Sequence, residues 1–230
     1  MKNIKKIIFG IMLFTGFMFC TDSYSQEDKK QYITTGADIC SSYIWRGTKY
    51  GTGPAVQPSI EFSNEVFTAG AWGSFDFQNY EEADLYFSFS LPAGISIGMT
   101  DYYFPGNDYF DYSQATGSHA LEINLGFFMN NFSLGANYIL NRSAIAGSEG
   151  NDVYFEAKYS GKSISVFLGA GNGWHTTESA ERHNRFAICN IGLETTKTIS
   201  VTDTFNIPVT GQLVLNPDSR QFYIVVGITL

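Results

Sequence analysis

The sequence predicts an all-β chain, a transmembrane up-and-down antiparallel β-barrel of about 12 strands. Three observations predict it. First, residues 82–91 read Glu-Ala-Asp-Leu-Tyr-Phe-Ser-Phe-Ser-Leu, with an apolar side chain at every second place. Successive side chains in a strand point to opposite faces, so Ala83, Leu85, Phe87, Phe89 and Leu91 form one oily face, and the pattern recurs as far as Leu230. Second, the chain begins like an exported protein. Third, tight turns alternate with longer polar segments, as in outer-membrane barrels.

The elements follow in order. Lys2, Lys5 and Lys6 precede an uncharged apolar run over residues 7–19, and Ser23-Tyr24-Ser25 offers small residues for cleavage. The run is too short for a membrane helix, which needs ~20 residues. Residues 1–25 are therefore expected to be a secretory signal peptide, and 26–230 the barrel. A lipoprotein signal at Cys20 is the alternative, disfavoured by Phe19 where a small residue is expected. Period-two runs place strands at 31–46, 54–63, 66–77, 82–91, 94–104, 118–129, 132–142, 152–160, 163–173, 184–195, 206–215 and 220–230. Tight turns fall at 64–65, 92–93, 130–131 and 161–162, and longer segments at 47–53, 105–117, 143–151 and 174–183. Segment 196–205 reads as a partly extended turn.

Charge separates the faces. The whole chain has 14 Lys+Arg and 22 Asp+Glu. Without Lys2, Lys5, Lys6 and Asp22 the mature chain carries a net charge of −10, which disfavours nucleic acid as a partner. On the apolar parity the one mid-strand acid is Asp101, near an outer strand end. The other parity carries Asp38, Glu61, Asp76, Glu82, Asp84, Glu122, Asp152, Glu156 and Glu194, with Arg46 and Lys158. A face with so many charges is wet. Aromatic residues gather at both ends of the apolar parity: Phe62, Phe67, Phe127, Phe132 and Tyr159 at one, Tyr43, Trp45, Phe75, Phe77, Tyr103 and Tyr138 at the other. Such girdles mark the two water–lipid boundaries, so lipid and lipopolysaccharide are the expected surroundings. A secreted soluble sandwich or lipocalin-like barrel would also alternate, but it needs no girdles.

Cys40 and Cys189 remain after cleavage, on opposite faces of non-neighbouring strands, so no disulfide is expected and Cys189 reads as lipid-facing. No metal or cofactor motif is present in the sequence. The acids of the Pro105–Tyr112 stretch lack EF-hand spacing, and Gly169-Ala-Gly-Asn-Gly173 lacks the lysine of a phosphate loop.

Ser42-Tyr43-Ile44-Trp45-Arg46-Gly47, Pro54-Ala55-Val56-Gln57-Pro58-Ser59 and Ala69-Gly70-Ala71-Trp72-Gly73-Ser74, with Ile207-Pro208-Val209, Asn216-Pro217 and Val225-Val226-Gly227-Ile228, resemble the TorF-like family of outer-membrane porins. The resemblance spans the mature chain and is most specific over 38–76. It implies compartment and class, with no defined solute.

A porin requires a hydrated wall and a field rather than a catalytic group. Asp38, Glu61, Asp76, Asp84, Glu122 and Glu156, in excess over Arg46 and Lys158, are expected to line the lumen and favour cations and neutral polar solutes. They can equally be locked in a wall-to-wall network, with Arg46 as a constriction or a structural bridge. Trp72, Tyr86, Tyr102, Phe128, Tyr154 and Phe167 fall on the same parity, either as an aromatic slide for solutes or as lumen filling. The expected function is a passive channel for small hydrophilic solutes. The alternatives are a non-conducting structural or adhesive barrel with a filled lumen and, more remotely, an outer-membrane lipase. The last would need a base such as His119, His175 or His183 beside a serine. Ser118 points away from His119, and Ser143 lies in the next loop.

Overall fold

The computed structural model describes residues 32–177 and 185–230. The expected signal peptide, Cys20 and His183 lie outside the described residues. The strands in chain order are β1 Ile33–Cys40, β2 Tyr43–Trp45, β3 Thr48–Tyr50, β4 Ala55–Ser63, β5 Phe67–Asp76, β6 Glu81–Leu91, β7 Ile95–Tyr103, β8 His119–Met129, β9 Phe132–Ile139, β10 Arg142–Ser143, β11 Ser148–Glu149, β12 Val153–Ser160, β13 Ser165–Gly171, β14 Ala187–Ser200, β15 Asn206–Asn216 and β16 Gln221–Thr229. Twelve close a barrel in the order β1-β16-β15-β14-β13-β12-β9-β8-β7-β6-β5-β4. All its ladders are antiparallel, and each strand lies beside its neighbours in the chain until β16 meets β1 (Asp38↔Thr229, Ile39↔Ile228, Cys40↔Gly227). The short hairpins β2–β3 and β10–β11 pair only within themselves.

The predicted parity holds. Leu85, Phe87, Phe89, Ile97, Leu125, Leu134, Val166, Leu168, Leu213 and Val226 are exposed on the outer wall. Asp84, Ser88, Thr100, Glu122, Asn124 and Asn137 are buried on the inner one. The barrel is thus inside-out relative to a soluble one. Its core is polar, and aromatic rings inside it are seated over glycines: Tyr154 lies against Gly169 and Tyr86 against Gly70, where a Cβ would collide with each ring.

Two expectations are corrected. The strand expected over 31–46 breaks at Cys40, because the chain leaves the wall and folds inward as the β2–β3 hairpin. Tyr43 and Trp45, assigned to the outer girdle, are therefore buried inside the barrel. Cys189, assigned to the lipid face, is buried at a register shift where β13 pairs β14: Gly169 opposes Asn190 while Ala170 opposes Ile188. A bulge leaves one residue unopposed, so period-two parity changes hand there. Segment 196–205 is partly extended, since β14 runs on as far as Ser200, which pairs with Asn206 at the start of β15. Both cysteines are free.

Candidate functional site: a hairpin latched across the lumen

The hairpin between β1 and β4 is built by local sequence. Trp45-Arg46-Gly47-Thr48 makes a two-residue turn, with Arg46 at φ 50 and Gly47 at φ 84. Such turns need left-handed residues and favour Gly at the second place. Arginine in that region costs ~1–3 kcal/mol. Arg46 is held there by what its side chain reaches.

Its guanidinium crosses to β8 and makes a two-pronged bond to Glu122, Nη1 to Oε2 at 2.6 Å and Nη2 to Oε1 at 2.8 Å. Both side chains are almost fully buried. Glu122 also accepts from the Tyr102 hydroxyl at 3.0 Å and Asn124 Nδ2 at 2.6 Å. The guanidinium carbon lies 4.5 Å from the ring centres of both Trp45 and Tyr154, which adds cation–π attraction in a dry place. His175, in the loop after β13, approaches Arg46 Nη1 with Nε2 at 3.4 Å. Arginine only donates, so Nε2 accepts. Burial, reinforced by the Arg46 cation, holds the His175 imidazole neutral, with its pKa well below 6.5.

The turn is seated on the opposite wall as well. Asn216 Nδ2 donates to the Gly47 carbonyl at 3.0 Å, and a Cβ on Gly47 would sit 1.9 Å from the Cys189 carbonyl oxygen. Gly47→Ala is thus expected to unseat the turn, both by collision and by its positive φ. Faster amide exchange over 43–50, with the barrel ladders still protected, is the measurement. On the return path, Asp76 accepts from the Thr52 amide at 2.8 Å and from the amides of Gln78 and Tyr80. Around the latch, Tyr43, Trp45, Tyr50, Trp72, Tyr80, Tyr102 and Trp174 form one aromatic cluster. Trp45 sits edge-on to Tyr102 at 5.5 Å and 4.9 Å from Trp174.

Of the residues singled out in the sequence, the structure brings together Arg46, Glu122, Tyr102 and Tyr154, with Trp72 behind them at 5.4 Å from Tyr43. Arg46 is corrected: it stands at the tip of an in-folded hairpin rather than on the inner wall, and from there it bonds Glu122. The others are spread along the inner wall, with Glu156 touching the cluster through Tyr154. Asp38 accepts from the Thr229 hydroxyl at 2.6 Å, across the β1–β16 seam. Glu61 accepts from Tyr86 at 3.0 Å. Glu156 accepts from Tyr154 at 2.6 Å and Asn190 at 3.1 Å. Lys158 pairs with Glu194 at 2.9 Å, and Glu194 also takes Gln212 Nε2 at 2.8 Å. Asp84 is buried opposite Trp72, and Phe128 is half-buried beside Gly126. Sequence reasoning missed His175, Trp174 and Tyr50 as lumen residues. The signal for the hairpin was present, since Arg46-Gly47 between Tyr43/Trp45 and Thr48/Tyr50 is a two-residue turn between alternating arms.

Asp101, the acid out of place on the outer face, is covered. His119 Nδ1 lies 2.8 Å from its Oδ1, and Tyr112 donates to Oδ2 at 3.0 Å. His119 Nε2 meets the Tyr109 carbonyl at 2.6 Å, and its ring stacks between Tyr103 and Tyr112. The loop over 104–118 is thereby strapped to the outer wall. Both His119 nitrogens are engaged, and Ser143 Oγ donates to the Gly117 carbonyl, so these groups form no nucleophile–base pair.

A closed barrel with an oily exterior, a polar interior and an in-folded hairpin defines the class: a β-barrel of the membrane-protein kind. The chain belongs to the bacterial family described as "Bacterial protein of unknown function (Gcw_chp)", which matches residues 25–206. No curated protein matches it. Among the solved structures similar to it are two outer-membrane proteins. Outer membrane phospholipase A from Escherichia coli shares 11% identity at a TM-score of 0.41, covering 85% of this chain and 95% of that one. The COG4313 outer membrane channel from Pseudomonas putida F1 shares 10% identity at a TM-score of 0.35, covering 89% and 98%. Likenesses this distant carry no argument about function.

Proposed function

We propose that this protein is an outer-membrane channel for small hydrophilic solutes, shut in the present conformation by the β2–β3 hairpin. The observation that carries the reading is the inversion of the wall, with exposed Leu85, Phe87 and Phe89 alternating with buried Asp84, Tyr86 and Ser88 on one strand. An oily exterior suits hydrocarbon, and a charged interior serves no purpose in a barrel that encloses nothing. The acids Asp38, Glu61, Asp84, Glu122, Glu156 and Glu194 outnumber Arg46 and Lys158, which supports a mild preference for cations. The TorF-like resemblance over 38–76 points the same way. The occupied nitrogens of His119 support a non-enzymatic reading over a lipase.

Planar-bilayer recording tests the proposal. Rare, discrete openings are expected, with a reversal potential displaced toward cations in a salt gradient. A second reading, a structural barrel with a permanently filled lumen, is favoured by the near-complete burial of Tyr102 and Tyr154 at 1% exposure. Silence from both the native protein and a latch-broken variant, at every voltage and salt, would establish that reading instead.

A further inference from the structure

We propose that residues 41–54 have a second seat, in the barrel wall, and that passage between the two seats opens the bore. The proposal rests on the channel reading and adds its regulation. The wall is incomplete where the hairpin has left it. β1 stops at Cys40 and β4 starts at Ala55, whereas β16 reaches Gln221. The main chain of Val226 still meets β1, its carbonyl accepting from the Ser41 amide at 2.8 Å. In an antiparallel ladder the main-chain groups two and four residues further along face the same way. Those of Ile224 and Phe222 therefore face the place that β1 has vacated, with no described strand beside them.

The side chains there are bare too. Ile224 is 67% exposed and Phe222 58%, more than Val226 at 51% on the same face, where β1 has just ended. An open strand edge flanked by apolar residues invites another strand.

The vacated place fits the residues that left it. The outward parity of β1 (Ile33, Thr35, Ala37, Ile39) continues through Ser41 to Tyr43 and Trp45, while Ser42, Ile44 and Arg46 fall on the wet parity. Extending the observed register Ile39↔Ile228 and Cys40↔Gly227 sets Tyr43 opposite Ile224 and Trp45 opposite Phe222. In that seat Tyr43 and Trp45 join Phe75, Tyr103 and Tyr138 at the loop end of the outer face, where aromatic rings favour the water–lipid boundary. The hairpin's own pairing, Tyr43↔Tyr50 and Trp45↔Thr48, needs no change of hand to be carried out as a unit. The period-two run over 31–46 is thus the imprint of the second seat, and the Arg46–Glu122 latch is the specific bond of the first.

Site-directed cross-linking of the full chain tests this. Cys40 and Cys189 are replaced by serine, and Trp45→Cys is combined with Phe222→Cys. In the lumen seat Trp45 packs against Tyr102 of β7 and Trp174, so oxidation should join the pair only through the wall seat. The disulfide is expected to form in liposomes, to form faster when Glu122→Ala is added, and to hold the channel open in bilayer recordings. Heat-modifiable migration on gels confirms that each variant has folded. A folded Glu122→Ala variant that never cross-links 45 to 222 overturns the second seat, even if it conducts. A bond that forms without any conductance upholds the second seat and removes the channel reading beneath it.

Discussion

Glu122→Ala is expected to release the hairpin from the lumen. The substitution leaves a guanidinium that is always charged, buried among Trp45, Tyr154 and His175, without its carboxylate. Removing one partner of a buried ion pair costs ~3–5 kcal/mol, because the orphaned charge has lost its hydration and regained nothing. At about tenfold per 1.4 kcal/mol, the seated-to-unseated ratio falls by two to three powers of ten or more. His175 offers no substitute anion, since its imidazole is held neutral. The Tyr102 hydroxyl and one N–H of the Asn124 amide, which also donate to Glu122, lose that acceptor and add to the loss. Bilayer recordings should show the open fraction rise, and amide exchange should quicken over 43–50 alone. The double variant Arg46→Met/Glu122→Leu should recover much of the closed state, since replacing both partners with apolar groups of similar size removes the stranded charge. A hairpin held only by its aromatic cluster would respond about equally to the single and the double change.

The wall was legible in the sequence, and the seat of the hairpin was not. On β6 every position obeys one rule, because one face is an exposed apolar wall and the other a buried polar interior, so side chains alternate with period two. The turns at Asn64 and Asn130 were legible for the same reason, as their residues suit tight reversals. Residues 41–50 obey the wall's rule without standing in the wall, so Tyr43 and Trp45 read as girdle and are found in the lumen. Alternation records which side chains share a face, and a hairpin has the same two faces wherever it is placed. What places it is long-range: a carboxylate 76 residues away on β8 and an amide 169 residues away on β15. No spacing in the sequence announces those partners. Cys189 failed for a local reason, since a single unopposed residue inverts parity and leaves no mark on composition. Asp101 was flagged correctly as an anomaly, but its remedy, His119 and Tyr112 brought over it by the following loop, is a tertiary contact.

Phe87→Arg is expected to destabilise the barrel in lipid by ~2–4 kcal/mol, the cost of a basic residue at mid-depth on a lipid face. Phe87 stands mid-strand on β6, exposed, between Ala69 of β5 and Met99 of β7, with Phe89 at 6.1 Å. The one acid near it on the outer face, Asp101 of β7, lies diagonal to position 87 and is already engaged by His119 and Tyr112. Ile95→Arg, at the turn end of the adjoining strand β7, has a rim where a long side chain can reach water, and should cost ~0–1 kcal/mol. Denaturant unfolding in phospholipid bilayers measures both. The contrast matters more than either value, because loss of the aromatic ring's packing alone would not depend on depth. If the outer face met water, arginine at Phe87 would relieve an exposed apolar surface and leave stability unchanged or improved. The sign at position 87, read against position 95, therefore decides which solvent surrounds the barrel. It does so independently of whether the bore conducts or the hairpin moves.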